Sequence, residues 1–398
     1  MPGSLDLPAL RAETPGVAAR VHLNNAGAAL MPAPVLRAVL SHLQLEAEIG
    51  GYEAEAARLD AVQAVYGDLA ALVGARARNV AVVENATVAV AQALAAFDFR
   101  PGDRIVTTSV DYPSNQLMYL SLSRRLGVEV VRAGDLPEGG VDPDSVRRLA
   151  GHPRCRLVAL SWIPTNSGLV QDAEAVGAVC EELGVPYLVD ACQAVGQLPI
   201  DLGRLRCDYL AATARKFLRG PRGIGFLYVS DRALDRGDYP LLVDMHGARW
   251  LEPTGFRLAD GARRFENWEF AYALVLGMGA AARYALEVGV EAACQRAWGL
   301  AERLRAGLAE VDGVTLLDRG AVRCAIVTVH VRGREGPDLV RALRERGINT
   351  SGFTREAGVI DMDRKGVASG LRLSPHYYNT EDEVDHAVAA LAEVVRPG

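Results

Sequence analysis

Short apolar segments alternate with helical patterns along the first 240 residues of the chain. Strands buried on both faces of a sheet have apolar interiors of this kind, and helices connect them when they run parallel. The segments lie at residues 80–83, 104–108, 128–132, 156–162, 186–190 and 209–212. Between them, apolar residues recur at helical spacing over 173–183, and Gly184 follows as a stop signal. This alternation predicts an α/β fold with a mostly parallel sheet wrapped by helices.

The pattern changes after about residue 258. The predicted elements there are helices at 271–308, at 337–346 and from 380 onward, and strands at 324–331 and 371–374. A mixed order of this kind predicts a smaller α+β unit. We therefore expect a large α/β domain at residues 20–257, and a small α+β domain in which residues 258–398 are joined by the N-terminal segment 1–19.

Composition excludes several classes of protein. With 398 residues and 50% apolar content, the chain can bury a sizeable core. Its net charge of −6 argues against a nucleic-acid or anionic-membrane partner, because both attract basic surfaces. The sequence has no run of 18 apolar residues, and residues 1–20 lack the pattern of a signal peptide. We expect a cytoplasmic protein that acts on a small molecule.

The six cysteines are isolated from one another along the chain. They form no Cys-x-x-Cys motif and no cluster with histidine. Most of them lie in apolar segments, where cysteine behaves as a small core residue. We therefore predict reduced cysteines, with neither a disulfide framework nor a metal site.

Lysine is rare in this chain. Only two of the 43 basic residues are lysines, Lys216 and Lys365. Lys216 follows the apolar segment at 209–212 and precedes the glycine-rich turn at 220–225. At such a strand end, burial and neighbouring cations lower the pKa of an amine and leave it nucleophilic. Lys216 is therefore the candidate Schiff-base lysine, and the alternative is an ordinary surface lysine.

Polar and aromatic side chains follow other predicted strands as well. The carboxyl ends of parallel strands meet at one edge of a sheet, where ligands bind. The side chains belong to Glu84-Asn85-Ala86-Thr87, Asp111-Tyr112-Pro113-Ser114-Asn115, Pro164-Thr165-Asn166-Ser167-Gly168 and Asp190-Ala191-Cys192-Gln193. The first segment opens a helix, whose free backbone amides suit an anion. Alone, such residues are often helix caps, but together they predict one ligand site.

With Lys216, these segments resemble the fold-type-I pyridoxal 5′-phosphate enzymes of the class V aminotransferase family. That group includes cysteine desulfurases, selenocysteine lyases, isopenicillin-N-epimerase-like proteins and ergothioneine C–S lyases. The resemblance extends from Leu23-Asn24-Asn25-Ala26-Gly27 to Ser374-Pro375-His376-Tyr377-Tyr378-Asn379-Thr380. It implies the type I fold, with pyridoxal 5′-phosphate as the cofactor.

The resemblance also implies roles for individual residues around the cofactor. Lys216 would form the Schiff base, Asp190 would pair with the protonated pyridine nitrogen, and Tyr112 would stack on the ring. The other implied contacts are Gln193 and Asn166 on the phenolic oxygen, and Ala86, Thr87, Thr213 and Arg215 on the phosphate.

The substrate and the partner subunit are implied in the same way. Arg372 matches the arginine whose planar fork binds the substrate α-carboxylate, and Asn25 and His376 would lie beside it. A loop from the neighbouring subunit reaches the phosphate in this family, which implies a homodimer with Asn267 in a shared site. The alternative for that stretch is an ordinary helix lead-in with a buried Trp268.

Some positions depart from the desulfurase pattern. Those enzymes carry a nucleophilic cysteine shortly before the carboxylate-binding arginine, and no cysteine occurs between Gly347 and Arg372. Tyr112 and Arg215 stand where desulfurases favour histidine. The Arg215-Lys216-Phe217 form is more similar to the epimerase-like and C–S lyase branch, so persulfide transfer is not expected.

These features favour a β-lyase that acts on a cysteine S-conjugate or its sulfoxide, in bacterial thiol or natural-product metabolism. The products would be a thiol or sulfenate, pyruvate and ammonia. Transamination, epimerisation or decarboxylating oxidative deamination of a related amino acid stays open as an alternative, because the same cofactor supports each reaction.

Overall fold

The structure is a computed structural model that describes residues 5–396. Residues 1–4 and 397–398, which belong to the expected small domain, lie outside the described part. Its strands are β1 (Val21–His22), β2 (Val80–Val83), β3 (Arg104–Thr107), β4 (Glu129–Arg132), β5 (Cys155–Ser161), β6 (Tyr187–Asp190), β7 (Tyr209–Thr213), β8 (Gly225–Val229), β9 (Ala248–Glu252), β10 (Gly255–Leu258), β11 (Val314–Leu316), β12 (Val327–Val331), β13 (Ile348–Asn349), β14 (Ser351–Thr354) and β15 (Ser369–Leu373).

The α-helices lie mainly between these strands and at the two ends of the chain. They are α1 (Leu7–Ala12), α2 (Ala33–Ile49), α3 (Gly51–Val73), α4 (Ala86–Ala95), α5 (Pro113–Leu126), α6 (Pro143–Ala150), α7 (Ala173–Leu183), α8 (Leu202–Leu205), α9 (Asp231–Asp235), α10 (Tyr272–Val288), α11 (Val290–Ala309), α12 (Gly336–Glu345), α13 (Val359–Lys365) and α14 (Glu381–Val395).

The central sheet has seven strands in the order β2-β8-β7-β6-β5-β3-β4. Strand β8 runs antiparallel to both of its neighbours, and the remaining pairs are parallel. The predicted α/β fold with a mostly parallel sheet is therefore confirmed, and six of its strands match the predicted segments closely. The sequence prediction missed β8, which lies directly after the glycine-rich turn.

Successive residues of the central strands pack into two separate cores. Leu188 lies in one core and Val189 lies in the other, and the same alternation holds for Tyr209 and Leu210. Helices must therefore cover both faces of the sheet, which explains the apolar interiors of its strands. Polar side chains are left for the strand ends and the loops.

A smaller sheet forms in the C-terminal third of the chain. Its four antiparallel strands have the order β11-β12-β15-β14. Residues 21–24, which the prediction placed in the large domain, contact this region, since β1 pairs with β13 and Asn24 bridges to Ser374. These contacts bring β15, which carries Arg372, next to residues 21–24.

The helical region predicted at 271–308 is two helices. Gly289 separates α10 from α11 with a φ of 86°, a conformation that glycine adopts readily. Among residues 5–396, no single helix is long and apolar enough to span a membrane. Only α10 and α11 taken together meet that criterion, and they are bent by 81° at their junction.

Candidate active site

The ends of the central strands and the first turn of α4 enclose one cleft. Its lining residues are Asn85, Ala86, Thr87, Tyr112, Asn115, Asp190, Cys192, Thr213, Arg215 and Lys216. This set includes seven of the ten residues that the sequence assigns to the cofactor. The fold therefore brings together side chains that are up to 131 positions apart in the chain, from Asn85 to Lys216.

Lys216 is buried in this cleft, three residues after the end of β7. It is only 6% exposed, so the surface-lysine alternative is wrong. Burial lowers the pKa of its amine, and the positive charges of Arg215 and Arg372 act in the same direction. The Nζ atom lies 5.7 Å from the centroid of the Tyr112 ring. An amine in this setting is more readily neutral, as a nucleophile requires.

Asp190 ends β6 and presents its carboxylate to the cleft. One oxygen, Oδ1, accepts a hydrogen bond from the backbone amide of Cys192 at 3.0 Å. The other, Oδ2, accepts a hydrogen bond from Nδ2 of Asn115 at 2.9 Å. Both donors are uncharged, so the carboxylate keeps the capacity to bind a protonated nitrogen.

The first turn of α4 forms another wall of the cleft. Asn85 caps this helix, because its Oδ1 accepts a hydrogen bond from the backbone amide of Val88 at 3.0 Å. The amides of Ala86 and Thr87 belong to the first turn and have no acceptor within the helix. Free amides at a helix N-terminus are well suited to a phosphate group.

Strand β8 packs tightly against this helix start. A Cβ atom at Gly225 would lie 2.4 Å from the carbonyl oxygen of Ala212 and 3.3 Å from the amide nitrogen of Ala86. No larger residue fits there without a shift of the backbone. At the same end of the cleft, the guanidinium of Arg215 donates a hydrogen bond to the carbonyl oxygen of Gly27. Arg215 therefore links the loop after β7, which carries Lys216 and is called the lysine loop, to the segment that contains Gly27.

Arg372 is a buried cation whose partners are uncharged. Its Nη1 donates to the carbonyl oxygen and the hydroxyl of Thr165 at 2.8 and 3.0 Å, and its Nη2 lies 3.5 Å from Oδ1 of Asn24. Within residues 5–396, its buried Nε has no hydrogen-bond partner. Burial lowers its pKa to about 10, so it stays positively charged at neutral pH. A buried arginine with an unfilled edge is suited to bind a carboxylate.

Asn25 and His376, which were expected beside the substrate, form hydrogen bonds within the chain, and their contact with the substrate stays a prediction. The amide nitrogen of Asn25 donates to the carbonyl oxygen of Ser374 at 2.8 Å, and its oxygen accepts from the hydroxyl of Tyr378. Nε2 of His376 lies 2.9 Å from the carbonyl oxygen of Phe217, and its Nδ1 accepts from the backbone amide that follows it. Both side chains have their polar atoms engaged, so they hold the N-terminal and C-terminal segments around the lysine loop.

Asn166 and Gln193, which were expected to contact the phenolic oxygen, also form hydrogen bonds within the chain, and their cofactor contacts stay predictions. Nδ2 of Asn166 donates to the carbonyl oxygen of Ala357 at 2.9 Å. Nε2 of Gln193 donates to the carbonyl oxygen of Ala26 at 3.1 Å, and the Oε1 atom of Gln193 is buried without a partner in the described chain. In this arrangement Gln193 offers an acceptor, which can bind a phenolic hydroxyl but not a phenolate.

Asn267 lies outside the lining of the cleft, in the segment that precedes α10. Its Nδ2 donates to Oε1 of Glu84 at 3.0 Å, beside the turn between β2 and α4. Trp268 is 49% exposed, so the alternative of a buried tryptophan is wrong for a single chain. This segment is therefore available for contact with another molecule.

The six cysteines are all free thiols. Burial is the main reason why the pKa of each thiol is raised. The pKa is raised to about 11 for Cys155 and to about 12 for Cys294 and Cys324. Cys192 lines the cleft, and burial and the charge of Asp190 raise the pKa of its thiol. None of these thiols is poised to form the thiolate that a sulfur-accepting nucleophile requires.

The sequence prediction gave no role to Asn115 or Asp111. Asn115 is buried in the first turn of α5, and the available sequence signal was an amide side chain two residues after Pro113, close behind a strand end. Its contact with Asp190 joins residues 75 positions apart, and no local pattern reports such a distance.

Comparison with known proteins places these observations in a family. Residues 21–387 match the sequence profile of the family described as Aminotransferase class-V. A probable cysteine desulfurase of Methanothermobacter thermautotrophicus is 26% identical over 98% of both chains. The cysteine desulfurase IscS of Salmonella schwarzengrund is 28% identical over 85% of this chain and 81% of the relative.

Solved structures agree with that assignment. The apo cysteine desulfurase of Thermococcus onnurineus has a TM-score of 0.90 at 22% identity, covering 99% of this chain and 98% of that one, which shows the fold. The cystine C–S lyase C-DES, solved in complex with its reaction product cysteine persulfide, has a TM-score of 0.84 at 26% identity over 96% of this chain and 99% of that one.

The residues of the cleft fit pyridoxal 5′-phosphate, the cofactor of this family. The free amides of α4 suit its phosphate, and the Asp190 carboxylate suits a protonated ring nitrogen. The buried amine of Lys216 suits its aldehyde, and the Tyr112 ring offers a flat face. The family profile and the relatives confirm both the recognised family and its cofactor. The chain belongs to the class V aminotransferase family and is a cysteine desulfurase-like, pyridoxal 5′-phosphate-dependent enzyme.

Proposed function

We propose that this enzyme is a C–S β-lyase that cleaves a cysteine S-conjugate or its sulfoxide. One observation carries the proposal. The site is otherwise complete, but burial raises the pKa of every cysteine thiol in the chain. The cleft has the buried Lys216 and Asp190, and Arg372 has an Nε without a hydrogen-bond partner in the described chain. The pKa values of the six thiols are all raised. A site of this kind can break a C–S bond, but it lacks a thiolate to receive the sulfur.

Arg372 binds the α-carboxylate of the substrate in this proposal. Its Nη1 is fixed by Thr165 and its Nη2 has only the long contact with Asn24, so the edge formed by Nε and Nη2 is the part that remains for two parallel hydrogen bonds. This contact places Cα of the substrate near the Lys216 amine, whose lowered pKa lets it accept a proton. Lys216 then takes the proton from Cα while the Cβ–S bond breaks.

The electrons of the broken Cβ–S bond leave with the sulfur, as a thiolate or, from a sulfoxide, as a sulfenate. The bound cofactor supplies an electron sink at Cα, which is the chemistry that no side chain of this cleft can provide. Asp190 holds a proton at the ring nitrogen and so keeps that sink effective. The remaining aminoacrylate reacts with water to give pyruvate and ammonia, and no oxidant or reductant is needed.

The relative C-DES supports this proposal. It is a cystine C–S lyase whose product is cysteine persulfide, and cystine is itself a cysteine that carries a substituent on sulfur. Desulfurase relatives support the same site but a different fate for sulfur. The raised pKa values of the cysteines favour the lyase for this chain.

Product analysis tests the proposal. The purified enzyme is incubated with S-methyl-cysteine, its sulfoxide, cystine and free cysteine, and pyruvate, ammonia and alanine are measured. The lyase predicts pyruvate and ammonia in equal amounts from at least one S-substituted substrate, with Lys216→Ala as the inactive control. Alanine as the main product would establish a desulfurase, and a keto acid that keeps the sulfur would establish a transaminase.

We also propose that the working enzyme is a homodimer with shared active sites. Large apolar side chains are exposed around the β9–β10 hairpin, including Leu242 at 81% and Trp250 at 80%. A monomer rarely exposes so many large apolar groups in one region. Asn267 and the exposed Trp268 lie between this region and the turn before α4, where a second subunit can reach the phosphate end of the cleft.

A further inference from the structure

A second buried carboxylate lies behind Asp190. Asp111 follows β3 and is 5% exposed. Its Oδ2 accepts hydrogen bonds from the hydroxyls of Thr107 and Tyr119 at 2.8 and 3.2 Å. Its Oδ1 accepts from the backbone amide of Tyr112 at 2.8 Å and from the hydroxyl of Ser161. These donors are all uncharged, so hydrogen bonds alone stabilise a negative charge at this place.

Asn115 connects the two carboxylates through a single amide nitrogen. Its Nδ2 lies 2.9 Å from Oδ2 of Asp190 and 3.4 Å from Oδ1 of Asp111. An amide group has two N–H donors, so one can point to each carboxylate. If the amide were turned over, its oxygen would face two acceptors and both contacts would be lost.

We propose that Asp111 is a positioning residue for Asp190: it fixes the Asn115 amide between the two carboxylates, and its negative charge favours a protonated cofactor ring nitrogen. This inference rests on the proposed pairing of Asp190 with that nitrogen. In a buried setting, a second carboxylate one side chain away raises the proton affinity of any base bound to the first. The electron sink is therefore maintained by two acids, only one of which borders the cleft.

Opposing influences act on the charge of Asp111. Burial raises the pKa of its carboxyl group and the charge of Asp190 acts in the same direction, so both oppose the ionised form that this role requires. The hydroxyls of Ser161 and Thr107 lower that pKa and so favour the ionised form. Tyr119, whose pKa is raised by burial and by both carboxylates, remains a hydroxyl that donates. A residue that merely capped α5 would need only the contact with the Tyr112 amide.

The test measures the ring nitrogen directly. Holoenzyme is prepared with pyridoxal phosphate labelled with ¹⁵N in the ring, and the ¹⁵N chemical shift is followed against pH for the unaltered enzyme, Asp111→Asn, Asn115→Ala, the double variant and Asp190→Asn. The dissociation constant of the cofactor is measured for the same proteins. We expect Asp111→Asn and Asn115→Ala each to lower the proton affinity of the ring nitrogen about tenfold. The loss of proton affinity in the double variant should not exceed the product of the two single losses.

The outcomes separate this inference from the proposal on which it rests. An unchanged ¹⁵N titration in Asp190→Asn would refute the pairing of Asp190 with the ring nitrogen. A large change in Asp190→Asn with none in Asp111→Asn would refute the role of Asp111 alone.

Because Asp111→Asn also alters a buried network, Tyr119→Phe and Thr107→Val provide a second measurement. Each keeps the carboxyl group but removes one donor, which makes that group less readily ionised. A smaller shift of the titration in the same direction is expected. If both folded variants titrate like the unaltered enzyme, the charge of Asp111 has no influence on the cofactor, and the inference is wrong.

Discussion

The Nζ atom of Lys216 lies 5.7 Å from the centroid of the Tyr112 ring, and both groups border the same cleft. The tyrosine follows β3 and the lysine follows β7, so the order of strands in the sheet sets this distance. An aromatic face beside a reactive amine leaves a flat space between the two. A planar cofactor held by Lys216 can occupy that space and stack on the ring.

Removal of the Tyr112 ring should weaken cofactor binding. Aromatic stacking contributes about 1 kcal/mol beyond simple burial, so we expect Tyr112→Ala to raise the dissociation constant of pyridoxal phosphate at least about fivefold. Tyr112→Phe keeps the ring and should stay within about twofold of the unaltered enzyme. Titration of the apoenzyme with cofactor, followed by absorbance, gives both constants. Equal weakening by both variants would show that the hydroxyl, not the ring, is important.

Arg372→Lys should separate substrate binding from cofactor binding. Lysine keeps the positive charge but loses the planar fork, so the KM for the amino acid should rise at least about tenfold. The absorption spectrum of the bound cofactor should stay the same. The matched comparison uses substrates with and without an α-carboxylate on the unaltered enzyme. Similar KM values for the two substrates would contradict the assigned role.

Glu266 should make the stability of the enzyme depend on pH. Burial raises the pKa of this carboxyl group to about 7, although the backbone amide of Val82 and the hydroxyl of Tyr66 donate to it. The folded state therefore holds this proton more tightly than the unfolded state, where the pKa is about 4.5. Its stabilising contribution is complete below about pH 4.5 and is lost as the pH rises through about 7, by about 3 kcal/mol.

Urea unfolding of the apoenzyme at several pH values between 5 and 8 tests this expectation. Glu266→Gln should flatten the decline in the free energy of unfolding over that range. The exposed neighbour offers a control, because Glu269→Gln should leave the decline as it is. If the decline persists in Glu266→Gln, another group is responsible for it.

Mixed dimers test the shared active site. Lys216→Ala and an inactive variant of the Asn267 segment, such as Asn267→Ala, are mixed under conditions that exchange subunits. If each site takes residues from both chains, one of the two sites in a mixed dimer is intact, and activity should return to roughly a quarter of that of the unaltered enzyme at equal mixing. If subunit exchange is verified but no activity returns, the shared site is refuted. A protein that sediments as a monomer would refute it as well.

The sequence allowed the sheet and the centre of the site to be predicted, because both depend on local patterns. The apolar interiors of β5 and β6 and the position of Asp190 at a strand end can be read along the chain. The insertion of β8 between β2 and β7 could not, since strand order depends on contacts distant in sequence.

The functions of individual polar side chains were harder to predict than their positions. His376 belongs to a motif that suggested substrate contact, but both of its ring nitrogens are engaged by backbone groups. Burial and the charge of Arg219 lower its pKa to about 3, so it stays neutral. Such a role depends on which carbonyl group faces the ring, and the sequence does not record that.

The position of the cofactor linkage is the most direct test of the account. The holoenzyme is reduced with borohydride, digested and mapped by mass spectrometry. Lys216 and Lys365 are the two lysines of the chain, and Lys365 forms an ion pair with Asp361 at 2.6 Å on α13. We expect the reduced pyridoxyl adduct on Lys216 and none on Lys365. An adduct on Lys365, or no adduct on either lysine, would contradict the assignment of the active site.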